Sequence, residues 1–321
     1  MTEPLGQAAA DPQFRADVLA GLAAPIPAVP ARWLYDRRGS ELFEAITELP
    51  EYYPTRVERA ILERHCPDVA RIAGTGHAVV EFGSGSSAKT PILLRAVRPS
   101  AYVPIDISGE FLRDSAAALG TEFPNLPIYP VEADFMRPIT LPAAVDGIPK
   151  LGFFPGSTIG NLVARTAVDL LRAMKDTLGV GAFLLIGMDR IKDEDVLVRA
   201  YDDAAGVTAA FNLNLLHRIN SELDGNIPVE AFRHRAIWND RMSRIEMHLE
   251  AVRDVEFSVS GTRFRFAKGE TIHTENSHKY GLRDARLLLR AAGWGVCNEW
   301  TDEAGQFALI LAEAEAPRFA P

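Results

Sequence analysis

Between residues 78 and 188 short apolar runs recur at 78–83, 102–107, 127–132, 151–155 and 182–188, and helical patterning fills most of the intervals. Strands spaced by helices cannot meet as tight hairpins. They return through crossovers and pair in parallel, as βαβ units. Near the C-terminus the order changes to a helix at 282–292, an apolar stretch from Trp294 to Trp300, a turn at Asp302 to Gly305, and a second stretch from Phe307 to Ala312. Two strands joined by a glycine turn make a hairpin. The expected fold class is therefore α/β, a doubly wound, Rossmann-like parallel sheet finished by a C-terminal antiparallel hairpin.

The flanking segments predict a second lobe. Residues 11–70 read as helical, with Phe14, Val18 and Leu22 at helical spacing and a capping-box spacing starting at Ser40. Within them, Leu49 to Thr55 carries two prolines around paired tyrosines, which predicts a loop presenting aromatic rings. Residues 193–223 read as helix again, and 244–250 alternates so that Ile245, Met247 and Leu249 share a strand face. The expected organisation is a helical part at 1–70, a sheet core at 71–190, an inserted lobe at 191–280, and a return to the core at 281–321.

Composition excludes several roles. The chain carries 34 Lys+Arg against 43 Asp+Glu, a net charge of −9, with no basic cluster, so no nucleic-acid partner is expected. The longest apolar run, Phe183 to Met188, is far short of the roughly 20 residues that span a bilayer. No membrane contact is expected, and with no basic stretch ahead of an apolar one at the N-terminus the expected location is cytoplasmic. Cys66 and Cys297 are the only cysteines and make no CxxC, which predicts two buried thiols and neither disulfides nor zinc.

The most informative segment is Val79-Val-Glu-Phe-Gly-Ser-Gly-Ser-Ser-Ala-Lys-Thr90, a buried strand, a glycine turn and a helix start. Gly83 and Gly85, with Ser84 between them, let backbone approach a ligand closely, and the N–H groups opening the helix favour negative charge. A phosphate-binding P-loop is disfavoured because Ala88 stands where its last glycine belongs. A dinucleotide fingerprint matches formally at Gly83, Gly85 and Ala88, with Asp106 ending the next strand. Glu81, two residues before Gly83, makes an ExGxG arrangement that resembles motif I of S-adenosylmethionine-dependent methyltransferases. On that likeness Asp106 accepts ribose hydroxyls, Asp134 and Phe135 lie where adenine is contacted, and Lys89 pairs with the cofactor carboxylate.

The rest of the chain extends the resemblance. Trp33-Leu-Tyr-Asp36 with Gly39-Ser40, Leu49-Pro-Glu-Tyr-Tyr-Pro-Thr-Arg56, the Glu81 to Thr90 block, Pro155-Gly-Ser-Thr-Ile-Gly-Asn161, Arg199-Ala-Tyr-Asp-Asp203, Ile245-Glu-Met247 and Thr274-Glu-Asn-Ser277 occur in that order. Together they resemble the histidine-specific methyltransferases, in particular the L-histidine Nα-methyltransferases of ergothioneine biosynthesis. The likeness implies a class I methyltransferase fold, S-adenosylmethionine as methyl donor with S-adenosylhomocysteine as product, and a monomer acting on L-histidine to give hercynine. It also makes 1–70 and 191–280 the substrate-binding lobe.

The resemblance assigns roles residue by residue. Asn161 and Tyr201 hold the substrate carboxylate as neutral donors, and Gly156 leaves room for the amino acid. Glu275 and Ser277 read the imidazole, with Tyr35 a further polar contact and Met247 packing on the ring. Asn276 and the neighbouring His278 make the surroundings more polar than the apolar residue usual at 276. Tyr52 orients the amine and is the candidate catalytic residue, able to take the released proton, while its ring and that of Phe43 can face the product cation.

Seven histidines invite a metal reading, yet no zinc spacing occurs. Glu246, His248 and Glu250 alternate as a solvated or loosely paired strand face, and no metal is expected. Three alternatives stay open: the same fold acting on another amino acid such as tryptophan, an NAD-dependent oxidoreductase, and a non-catalytic protein that senses the cofactor.

Overall fold

A computed structural model describes residues 11–137 and 139–316. Its first half contains α1 (Pro12–Leu22), α2 (Arg37–Thr47), α3 (Tyr53–Ala73), β1 (Ala78–Phe82), α4 (Thr90–Val97), β2 (Ala101–Asp106), α5 (Gly109–Glu122), β3 (Val131–Glu132) and β4 (Lys150–Phe154). Next come α6 (Ala164–Leu178), β5 (Phe183–Asp189), α7 (Glu194–Tyr201), α8 (Val207–Glu222), β6 (Phe232–Asn239), β7 (Arg244–Ala251), β8 (Val255–Val259), β9 (Thr262–Phe266) and β10 (Thr271–His278). The chain closes with α9 (Leu282–Ala291), β11 (Trp294–Thr301) and β12 (Phe307–Ala314).

Two compact units result. Among the described residues, the first comprises those up to Leu49, Leu197–Trp238 and Ile245–Asn276; the second comprises Pro50–Val196, Asn239–Arg244 and those from Ser277 onward. The first boundary thus falls at Leu49 and not at residue 70, because α3 joins the sheet unit: Ile61, Leu62, Cys66 and Val69 pack in one core with Val79, Leu151 and Leu185.

The second unit is built on a seven-stranded sheet of order β11-β12-β5-β4-β1-β2-β3. β1 pairs in parallel with both β2 and β4, and β12 runs antiparallel between β5 and β11, which is the expected parallel sheet ended by a hairpin. Both faces are covered. Ala78, Val80 and Phe82 enter one core while Val79 enters the other, so β1 is apolar without alternation at these positions. The strand order reverses between β1 and β4, which makes the turn after β1 the topological switch point where ligands of such sheets bind.

In the first unit, α1, α2 and α8 accompany a three-stranded sheet of order β10-β7-β6 and a β8–β9 hairpin. That hairpin turns on Ser260 and Gly261, both at positive φ (47° and 78°), as a two-residue hairpin loop requires. Asn214 on α8 donates to Asp36 at 2.8 Å, and Arg218 donates to the Trp33 carbonyl at 2.9 Å, tying α8 to the Trp33 to Asp36 block.

Three local expectations are corrected. Asp36 caps α2 by accepting the Gly39 N–H at 2.7 Å, leaving Ser40 inside the helix. α3 starts at Tyr53 and takes Pro54 into its first turn, where a missing N–H costs nothing, so only Leu49 to Tyr52 remain a loop. Cys66 is buried, its thiol pushed up to about 12 by desolvation, but Cys297 is exposed.

Candidate active site

The residues expected to meet the cofactor all lie in the second unit. Glu81, at 1% exposure, accepts Thr90 Oγ1 at 2.7 Å and Tyr102 Oη at 2.5 Å through the same oxygen, tying β1 to α4 and β2. Burial pushes its carboxyl up to about 7, against the pull of those two hydrogen bonds, and burial beside Glu81 raises the Tyr102 phenol well above its ordinary value. Gly83 and Gly85 sit at φ 71° and 49°, a conformation that disfavours side chains. The N–H groups of Gly83 and Ser84 donate to the Ile105 carbonyl at 2.8 and 3.1 Å.

Asp106 stands at the end of β2, as expected, and its oxygens accept the N–H of Gly85 and of Ser108, each at 2.9 Å. It therefore helps to shape the glycine turn. Asp134 accepts the Met136 N–H at 3.0 Å, and Phe135 packs edge-on to Phe154 at 5.8 Å. A Cβ at Gly83 would lie 3.3 Å from the Phe135 ring, whereas one at Gly85 would meet nothing within 4 Å. The Ser84 hydroxyl is buried with no hydrogen-bond partner among the described residues. A turn open at Gly85, an orphaned hydroxyl, a carboxylate and an aromatic ring fit a nucleoside with a polar tail.

Lys89, expected to pair with the cofactor carboxylate, has a partner within the chain. Its ammonium is bonded to Glu58, a fully buried side chain on α3 whose two oxygens also accept the Gly156 N–H at 3.0 and 2.9 Å. Glu58 is a residue that the sequence reading missed. Its signal was present: it shares the helix face of Ile61, Leu62 and Cys66, where a carboxylate must find a partner. Gly156, at φ 79°, and the short helical turn Thr158–Asn161 that holds Asn161 follow β4. The Gly160 carbonyl accepts His278 Nδ1 at 2.8 Å, and a Cβ on Gly160 would meet the His278 backbone oxygen at 2.8 Å. Tyr52, nearly buried, precedes α3.

A second missed group lies at the end of β5. The fully buried Asp189 receives Tyr53 Oη at 2.6 Å, Lys192 Nζ at 2.5 Å and Lys279 Nζ at 2.8 Å. Burial raises its carboxyl, but the two ammonium groups outweigh that and hold it below the ordinary range. Burial likewise brings Lys192 down to about 8. Lys279 Nζ also donates to Ser277 Oγ at 2.9 Å.

In the first unit Tyr35 meets Phe43 and Phe211 edge-on at 5.6 and 5.4 Å, an aromatic cluster with quadrupoles aligned. Tyr201 ends α7, and its carbonyl accepts His234 Nε2 at 2.8 Å while Asn212 donates to His234 Nδ1 at 3.0 Å. Those two bonds assign the Nε2–H tautomer, and burial lowers the His234 pKa, keeping the ring neutral. Met247 is buried in β7, where Thr274 donates to its carbonyl at 3.0 Å. Glu275 is a buried position of β10, and Ser277, also buried and two residues on in the same strand, already belongs to the second unit. The Asn276 side-chain oxygen is buried with no hydrogen-bond partner among the described residues.

The face expected to be solvated or loosely paired is paired, with Glu246 and Glu250 buried. Glu250 binds Arg233 at 2.7 Å and Arg235 at 3.1 Å; Glu246 binds His248 at 3.1 Å. Pairing across strands also brings His273 in, so that ligand atoms of Glu246, His248 and His273 lie within 4.8 Å. The two imidazoles stack at 4.7 Å and 20°.

Residues 14–314 match the family described as histidine-specific methyltransferase, S-adenosylmethionine-dependent. A histidine N-alpha-methyltransferase of Mycolicibacterium smegmatis is 42% identical over 93% of this chain and 94% of its own, and one of Mycobacterium tuberculosis is 42% identical over 96% and 97%. An L-tryptophan methyltransferase of Psilocybe serbica is 28% identical over 94% of this chain and 93% of its own. Among solved structures, the CcbJ methyltransferase of Streptomyces caelestis matches the fold with a TM-score of 0.50 at 13% identity, over 88% of this chain and all of its own. No helix among the described residues is long and apolar enough to cross a membrane. The glycine turn at the sheet's switch point and the full-length match converge: the chain belongs to the histidine-specific, S-adenosylmethionine-dependent methyltransferases.

Proposed function

We propose that this protein methylates the α-nitrogen of L-histidine three times in succession to give hercynine, the first step of ergothioneine biosynthesis, acting as a cytoplasmic monomer without a metal. The observation that carries the substrate is the match, at 42% identity over almost the whole of both chains, to relatives named histidine N-alpha-methyltransferase.

S-adenosylmethionine, when bound, supplies an electrophilic methyl whose C–S bond breaks, its electron pair going to sulfur, as the amine nitrogen forms the new C–N bond. Gly83, Ser84 and Gly85 present backbone and the buried hydroxyl to that cofactor, Asp106 accepts ribose hydroxyls, and Asp134 and Phe135 flank the base. Glu81 holds the turn in shape through Thr90 and Tyr102. Lys89 acts through Glu58 on the Gly156 N–H and so shapes the turn beside the amino acid.

Asn161 and Tyr201 bind the substrate carboxylate, and neutral donors do so without placing positive charge beside a sulfonium. Glu275 and Ser277 bind the ring, with Met247 packing on it and Tyr35 and Asn276 as further polar neighbours. The attacking amine must be neutral, and a free α-amino group has a pKa of about 8. A nearby sulfonium lowers it, so Tyr52 need only orient the nitrogen and pass its proton to water. Faces of Tyr52 and Phe43 accommodate the growing cation.

A tryptophan-directed relative at 28% identity favours a second reading, the same transfer to another ring. Incubating the protein with S-adenosylmethionine and a panel of amino acids, and following product masses, separates the two. Histidine should gain one, two and then three methyl groups; conversion of tryptophan in its place would overturn the substrate assignment.

A further inference from the structure

Tyr201 is the last residue of α7, and the closing carbonyls of a helix have no partner within it. Here an imidazole supplies one. The Tyr201 carbonyl accepts from His234 Nε2, on β6, at 2.8 Å, and because a carbonyl can only accept, Nε2 carries the proton. The other ring nitrogen gives the same answer independently. Asn212 Nδ2 donates to the His248 backbone carbonyl at 3.1 Å, which identifies it as the amide nitrogen, and it lies 3.0 Å from His234 Nδ1, which must therefore accept. Both contacts go to one atom, so turning the amide over would set its oxygen against the His248 carbonyl. The chain of bonds from Asn212 through His234 to Tyr201 runs in one direction.

Asn212 is 0% exposed, and its side-chain oxygen has no hydrogen-bond partner among the described residues. A buried, unmatched acceptor is unfavourable, and an apolar residue of similar size would carry none. The asparagine is therefore better explained by the two bonds that its nitrogen makes. Beyond Tyr201, Asp203 accepts the N–H groups of Val207 and Thr208 at 2.9 and 2.7 Å, and Gly206, at φ 74°, turns the chain into α8. The end of α7 is thus held from β6, and the turn that follows it is held from α8. All of these residues belong to the first unit.

We propose that His234, fixed in one tautomer by Asn212, is a positioning residue that sets Tyr201 for the substrate carboxylate. The inference rests on the reading that Tyr201 binds that carboxylate. Imidazole in the other tautomer would turn a lone pair toward the Tyr201 carbonyl, and the end of α7 would lose its partner. Hydrogen bonds weaken steeply with misalignment, so a small shift there is felt at the phenol.

The test uses the full chain and measures histidine affinity by calorimetry in the presence of S-adenosylhomocysteine, with S-adenosylhomocysteine affinity measured separately. His234→Leu, which removes the donor, should weaken histidine by about tenfold with S-adenosylhomocysteine held within about twofold. His234→Gln, whose amide can still donate to the Tyr201 carbonyl, should return to within about threefold of wild type. No loss in His234→Leu, equal losses in the two variants, or a parallel loss of S-adenosylhomocysteine affinity overturns the inference. Tyr201→Phe separates it from the reading beneath, since an unchanged histidine affinity there overturns both. Where Tyr201→Phe weakens histidine, adding His234→Leu should cost no more than about twofold further, because the two act in one chain. Losses that multiply overturn the inference alone.

A second measurement reads the tautomer directly. Long-range proton–nitrogen NMR spectra at pH 7, with the His234 signals identified by their absence in His234→Gln, should show the wild-type ring protonated at Nε2 alone. Asn212→Asp keeps the shape and removes the donor, and should place a proton on Nδ1. A wild-type ring with a proton on Nδ1, or a bare Nδ1 in Asn212→Asp, would sink the proposal.

Discussion

Glu58→Gln isolates the missed carboxylate with little change of shape. The native side chain is fully buried, pairs with Lys89, and accepts the Gly156 N–H with both oxygens at 3.0 and 2.9 Å. Glutamine keeps one acceptor for Gly156, but its amide presents two donors where the structure already has two donors, the ammonium and the N–H. The Lys89 side chain is only 16% exposed, so water restores little of the lost partner. Removing one partner of a buried pair costs about 3–5 kcal/mol. At about 2–4 °C per kcal/mol for domains somewhat smaller than this chain, the melting temperature should fall by roughly 6–20 °C.

The companion variant makes the argument sharp. In Glu58→Gln with Lys89→Met no buried charge is left alone, and replacing both members of such a pair is often close to neutral. Thermal unfolding of the wild type, both single variants and the double variant at pH 7 should therefore show the double variant melting above Glu58→Gln. A Glu58→Gln protein melting within about 2 °C of wild type, where about 6 °C is the least expected, would refute the claim that this pair is a buried, mutually dependent one. So would strictly additive losses in the double variant.

Glu81, raised from 4.5 to about 7, binds its proton more tightly folded than unfolded, so its contribution is full below pH 4.5 and is lost as pH rises toward about 7. Wild-type stability minus that of Glu81→Gln, from urea unfolding at pH 5, 6 and 7, should decline with pH by up to about 1.4 kcal/mol per unit; a flat difference contradicts the burial argument. Glu275→Ala should raise the histidine KM at least tenfold with S-adenosylhomocysteine affinity unchanged, whereas Asp106→Ala, which also frees the Gly85 N–H, should weaken S-adenosylhomocysteine by about tenfold or more. Equal losses in both assays for either variant would contradict the assigned roles.

Much of this molecule was legible in order along the chain. Runs such as Val79 to Phe82 and Phe183 to Met188 became buried strands of the sheet, and Glu81, Gly83, Gly85 and Asp106 came together around one turn. Each rests on a local rule, a strand period, a positive φ or a strand end, that acts within a few residues. Where two local rules competed, the sequence was ambiguous: Asp36 and Ser40 both suit a helix cap, and packing of α2 against α8 accompanies the choice of Asp36. Pro54 looked like a barrier and proved to be a first-turn residue, since the same missing N–H serves either role.

What the tertiary structure alone decided is the pairing of charge. Glu58 finds Gly156 98 positions away, Tyr53 finds Asp189 136 away, and Lys279 bonds both Asp189 and the near neighbour Ser277. His273 stacks on His248 because β10 and β7 are adjacent in their sheet, which no spacing in the chain announces. The residue types carry the chemistry that a buried charge must find a partner, so the sequence by itself determined the sheet, the glycine turn and the need for such partners. Which partner each one meets depends on strand order and helix placement, because burial makes the interaction strong only once the whole core has closed around it.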